Sequence, residues 1–122
     1  MANDFKRFAK PSVGTSTGAS ADAVYTVPAG AGSTALESIV IGITLANKTS
    51  SGVTASVFLD NYDGSNDVYI VKDATVPAGA SLEIMSGNKV VVMGDGTTND
   101  VIRVSASSSS AIDATVSVLE DV

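Results

Sequence analysis

From residue 23 onward, apolar and polar residues alternate with a period of two along most of the chain, the pattern of strands that bury one face. Ile39, Ile41, Ile43 and Leu45 fall on one face, and Val40, Gly42, Thr44 and Ala46 on the other, which predicts the longest and most central strand. Val53, Ala55, Val57 and Leu59 repeat the arrangement after a polar connection over residues 47–52. Val68 and Ile70 follow a turn-like stretch at 61–67. Leu82 and Ile84 lead into Ser86-Gly87-Asn88, which reads as a hairpin turn, and Val90 and Val92 return from it. After a loop opened by Gly94-Asp95-Gly96 come Ile102, Val104 and Ala106, then a solvated serine run at 107–110, then Ile112, Ala114, Val116 and Val118. About eight strands result. The one helical candidate is a short stretch over residues 3–9.

Thr-Val-Pro-Ala-Gly-Ala occurs twice, at residues 26–31 and 75–80, each time ahead of an alternating run. Proline donates no ladder hydrogen bond and glycine supplies the freedom a reversal needs, so each copy predicts a strand ending in a turn. The repeat divides the chain into two related strand-turn-strand blocks. The expected fold is all-β: an antiparallel β-sandwich, jelly-roll-like, of about eight strands over residues 23–122, with an extended N-terminal arm and linker over residues 1–22. The linker assignment rests on residues 11–23, rich in Ser, Gly, Thr and Ala and without periodicity.

The length of 122 residues suits one such domain. Only Phe5, Phe8, Tyr25, Phe58, Tyr62 and Tyr69 are aromatic, so the core has to be built from Val, Ile, Leu and Ala. Without cysteine, neither disulfides nor thiolate metal sites supplement that core. Seven basic against thirteen acidic residues give a net charge of −6, which disfavours nucleic acid and anionic membranes as partners. No secretory signal or membrane-length apolar run stands out, so a product made in a cytoplasm is expected. The charge is uneven: Lys6, Arg7 and Lys10 against Asp4 make residues 1–10 carry +2, leaving −8 on residues 11–122.

Because histidine is also absent, there is no Ser-His-Asp triad, Cys-His pair or histidine-held zinc. Gly94 and Gly96 lack the third glycine of a dinucleotide loop. Asp60, Asp63, Asp67, Glu83 and Asp113 are available as a glycosidase carboxylate pair, but acids in turns ordinarily bond their own backbone. The most site-like string is residues 60–67, where Asp60, Asp63 and Asp67 offer oxygen ligands suited to calcium. It lacks the order and closing Glu of an EF-hand, and Asp-Gly with flanking Asn signals a hairpin without a metal. Neither enzymatic activity nor a cofactor is expected. The arm reads either as a frayed terminal tail or, the favoured reading, as a partner-binding segment: Phe5 and Phe8 as apolar anchors around Lys6 and Arg7, with Lys10 beyond, set to dock on an acidic surface such as a second copy of the chain presents.

Several strings resemble small virion structural proteins of tailed bacteriophages, particularly those of marine cyanobacterial phages. They are Ala2-Asn3-Asp4-Phe5-Lys6-Arg7-Phe8, Lys10-Pro11-Ser12-Val13-Gly14-Thr15, Val24-Tyr25-Thr26-Val27-Pro28-Ala29 and Ser38-Ile39-Val40-Ile41-Gly42-Ile43. Gly64 to Asp73 and Val76 to Ile84 extend the likeness over nearly the whole chain. The resemblance implies a compact β module in a virion and transfers no catalytic residue. It implies a homo-oligomer that decorates or cements a capsid by contact with the major capsid protein, or a neck or tail component such as a collar, ring or fibre-attachment module. A calcium-dependent glycan-binding domain is the third expectation.

Overall fold

In the computed structural model, residues 3–28, 37–60, 68–85, 89–94 and 98–121 are described. Their strands are β1 (Asn3–Lys10), β2 (Asp22–Thr26), β3 (Glu37–Asn47), β4 (Val53–Asp60), β5 (Val68–Val76), β6 (Ser81–Glu83), β7 (Val90–Met93), β8 (Val101–Ala106) and β9 (Ile112–Asp121). They form two antiparallel sheets, a first in the order β1-β9-β3-β6 with β7 also on β3, and a second in the order β2-β8-β4-β5. The expected β-sandwich is what the chain adopts.

The pairing has a simple logic. Asn3 pairs with Asp121, Asp22 with Val104, Thr44 with Glu83 and Val53 with Val76. Each pair is centred between residues 62 and 65, so the chain is one long hairpin folded at its middle and then rolled so that successive segments alternate between sheets. This is the jelly-roll path. The inward faces meet through Val40, Ile43 and Leu45 from one sheet and Val57, Ile102 and Val104 from the other, all fully buried. Each contributes about 1.5–3 kcal/mol by leaving water.

Three local features depart from the sequence pattern, and a fourth follows it. β3 carries a bulge between Val40 and Gly42, opposite Val118 and Ser117. Ile39 and Ile41 therefore face out while Val40, Ile43 and Leu45 face in, because the extra residue resets the period of two. Leu82 and Val90 do not belong to a hairpin: β6 and β7 lie along the same strand, β3, at residues 44–46 and 37–40, as one interrupted strand position. The Ser86-Gly87-Asn88 turn lies outside the described residues.

The third departure is the N-terminal segment. Residues 3–10 are a strand rather than a helix, paired along their whole length with β9. The expected linker is likewise built in: Val13 is fully buried and its N–H donates to the Ile112 carbonyl (2.8 Å), while the Ala106 N–H donates to Gly14 (3.0 Å). Ser12 takes a left-handed conformation (φ 54°), and its N–H donates to Asp113 Oδ1 (2.9 Å). What composition marks as an arm is the first strand of the sandwich, because backbone pairing needs no side-chain pattern.

Last, the repeat marks corners. After β5, Val76 is fully buried and the Ala80 N–H closes a turn on the Pro77 carbonyl (3.1 Å), with Gly79 at φ 67° where a side chain would be strained. After β2, Val27 is buried in the same way; residues 29–31 lie outside the described set. Both copies begin where the chain leaves the second sheet for the first.

Candidate functional site

The five arm residues divide between the two faces of β1. Lys6, Phe8 and Lys10 register with Val118, Val116 and Ala114, on the core side of β9. Phe8 is half-buried, and its ring centroid lies 4.8 Å from that of Tyr25. Phe5 and Arg7 register with Leu119 and Ser117 on the outer face, and Phe5 is 77% exposed. The two phenylalanines therefore do different things: Phe8 holds the strand down and Phe5 is presented to solvent.

Beneath β1 lies a polar cluster. Glu120 is 1% exposed, continuing the inward series of Val116 and Val118. Its Oε2 accepts a hydrogen bond from the Tyr25 hydroxyl (2.6 Å), which also bonds Ser38 Oγ (2.8 Å). Lys6 Nζ lies 3.0 Å from Oε1 but off hydrogen-bond alignment, so that contact is an ion pair. Lysine compensates the buried carboxylate while its own end stays in water. The Lys6 pKa is raised, by the short side-chain contact with Glu120 first and that carboxylate's charge second. Burial, then the bond to Glu120, pushes the Tyr25 phenol well above its usual range. This cluster ties β1, β2, β3 and β9 together. Sequence reasoning missed it, although an acid at the parity of Val116 and Val118 is the signal that finds it.

On the outer face of the same sheet, Phe5, Leu119, Ile39 and Val91 are register partners and make one apolar row across β1, β9, β3 and β7. Ile41, pushed outward by the bulge, and Met93 extend it. Val91 and Met93 are 54% and 44% exposed. Arg7 flanks the row at Ile41 and Ser117, beside Phe5, around an open depression. Farther along the sheet the outward residues turn polar: Thr44, Thr115, Glu83 and Asp113. There Lys48 bonds Asp113 (2.9 Å) and, with the Ser12 N–H, holds its carboxyl below the usual range.

Of the calcium candidates, Asp60 ends β4 and its Oδ2 accepts from Arg103 Nε (2.8 Å), whose Nη1 also donates to the Ala21 carbonyl (2.8 Å). Asp63 and Asp67 lie outside the described residues. Among the described residues no three carboxylates converge as a metal site. Arg103 sits on an interior strand, facing outward, and braces the β4 end. Comparison with protein-family models, with curated proteins and with solved structures gave no match.

Proposed function

We propose that the protein is a non-enzymatic structural component of a tailed-phage virion, a decoration or cement protein that seats the outer face of its first sheet on the capsid shell. The observation that carries this reading is the apolar row of Phe5, Leu119, Ile39 and Val91, which recruits the N-terminal segment. At about 4.8 Å between strands, the row spans roughly 15–20 Å and offers a patch of a few hundred Å². A stable pairwise interface needs about 800 Å² per partner, so a contact of this size is weak alone and effective when many copies meet a repeating surface. The exposed Arg7 beside the row selects an acidic site on the shell protein. A neck or tail ring remains the second reading, in which the same face meets an adjacent copy.

Immunogold labelling of purified phage particles with antibody to this chain tests the assignment. Label over the shell supports decoration, and label at the neck or tail favours the ring. Absence of the protein from purified particles refutes both.

A further inference from the structure

The second sheet carries a groove that the docking face does not use. Its floor is Ser56 on β4 and Ser105 on β8, register partners that are 8% and 5% exposed although they lie on the outward face. They are covered from one side by the β1–β2 connection, which contributes Thr15 and Thr17, and from the other by β5, which contributes Tyr69, Lys72 and Asp73. The groove is half open, with a volume of about 280 Å³. That is close to the lower end of small-molecule sites, about 300–1,000 Å³.

The β5 wall is shaped by an irregularity. Ala55 pairs with Ala74 and Val57 with Val71, so Lys72 and Asp73 form a bulge opposite Ser56. Asp73 takes a left-handed backbone (φ 51°), fixed by its N–H donating to Ser56 Oγ (2.9 Å). A bulge of this kind re-aims side chains, and here it sets Lys72 and Asp73 in the groove wall. Lys72 Nζ lies 3.8 Å from Asp73 Oδ2, so the wall is polar without a net charge. Above it, Tyr69 is half exposed, and its ring is braced by Phe58 at 5.7 Å between centroids.

We infer that this groove binds a short neutral saccharide. Ser56 Oγ is engaged by Asp73, accepting from its N–H and donating to Oδ1 (3.4 Å). The hydroxyls of Ser105, Thr15 and Thr17 donate and accept, matching a ligand that presents hydroxyls of both kinds, and the remaining lone pairs of the Asp73 carboxylate accept from it. Lys72 Nζ lies over one part of the Tyr69 ring, 5.8 Å from its centroid. The rest of the half-exposed ring packs against the C–H side of a sugar, and its orientation is already set, which lowers the cost of binding. A free anion gains little, because Asp73 cancels the field of Lys72. The site requires no calcium and shares no residue with the string at 60–67.

The test is titration of the isotope-labelled full chain with glucose, galactose, mannose, N-acetylglucosamine and N-acetylgalactosamine, followed by amide chemical shifts. At least one sugar should shift the amides of Thr17, Ser56, Tyr69, Asp73 and Ser105 with a dissociation constant on the order of 1 mM. Tyr69→Ala and Asp73→Asn should each weaken that sugar by about tenfold or more, asparagine keeping the left-handed backbone. Phe5→Ala, on the other sheet, should leave binding unchanged, so failure here is separable from failure of the particle assignment. No response to any of the five sugars overturns the inference. So do shifts confined to the first sheet, or an equal response to inorganic phosphate or glycerol.

Discussion

Replacing Tyr25 with Phe removes one oxygen from the polar cluster and leaves the ring against Phe8 in place. Two hydrogen bonds disappear, 2.6 Å to Glu120 and 2.8 Å to Ser38. The Ser38 hydroxyl can rotate, but Glu120 Oε2 belongs to a residue 1% exposed and gains no water without opening the sheet. A hydrogen bond to a charged group contributes about 1.5–3 kcal/mol, and that range is the expected loss. For a domain of this size it corresponds to a fall in Tm of about 6–12 °C. Urea unfolding followed by far-UV circular dichroism should show a lower midpoint with an unchanged slope. Tyr69→Phe, at an exposed position, is the control and should stay within about 0.5 kcal/mol. In combination with Glu120→Gln the two changes should be strongly non-additive. A Tyr25→Phe loss no larger than the control refutes the reasoning, since it means that Glu120 Oε2 reaches water in the folded chain. The same hydroxyl sets an alkaline limit. Its folded pKa is raised above the ordinary 10.0, so its contribution is complete below pH 10 and is lost as pH rises beyond that.

Phe5→Ala should leave the unfolding midpoint nearly unchanged and release the protein from particles in co-sedimentation, whereas Phe8→Ala should cost about 2 kcal/mol because Phe8 is half-buried against Tyr25. Asp113, whose folded pKa is depressed below 3.8, stabilises the fold above that value and ceases to do so as pH falls through the lower folded one; Asp113→Asn should flatten that part of a stability-against-pH curve. Gly94→Ala should destabilise the fold measurably in thermal melts, since a Cβ there would sit 2.8 Å from the Thr98 carbonyl oxygen and against the Asn99 side chain.

The sandwich was legible because most strands keep a strict period of two with β-branched residues inward. The alternation marks β3 at its full importance yet misplaces half of its side chains, since a one-residue bulge leaves no mark in an unbroken run of Ile and Val. β1 was hidden for a different reason. Its core-side positions are Asp4, Lys6, Phe8 and Lys10, three charges and one ring, so alternation is masked where an edge strand keeps its ends in water. The exposed row was half visible: Phe5 stood out as an anchor, but Leu119, Ile39 and Val91 join it only through register. The groove was invisible, because its serines and threonines come from separated segments and look like ordinary loop and strand composition until the sheet brings them together.

The rolled hairpin also orders events in time. β4 and β5 are neighbours in the chain and pair at small entropic cost, while β1 has to find β9 across almost the entire sequence. On the ribosome, β1 emerges ahead of the other strands and stays without its partner until residues 112–121 have followed. Through that interval its unpaired backbone and both its phenylalanines are open to any copy emerging beside it, and two nascent chains can trade first strands before either is complete.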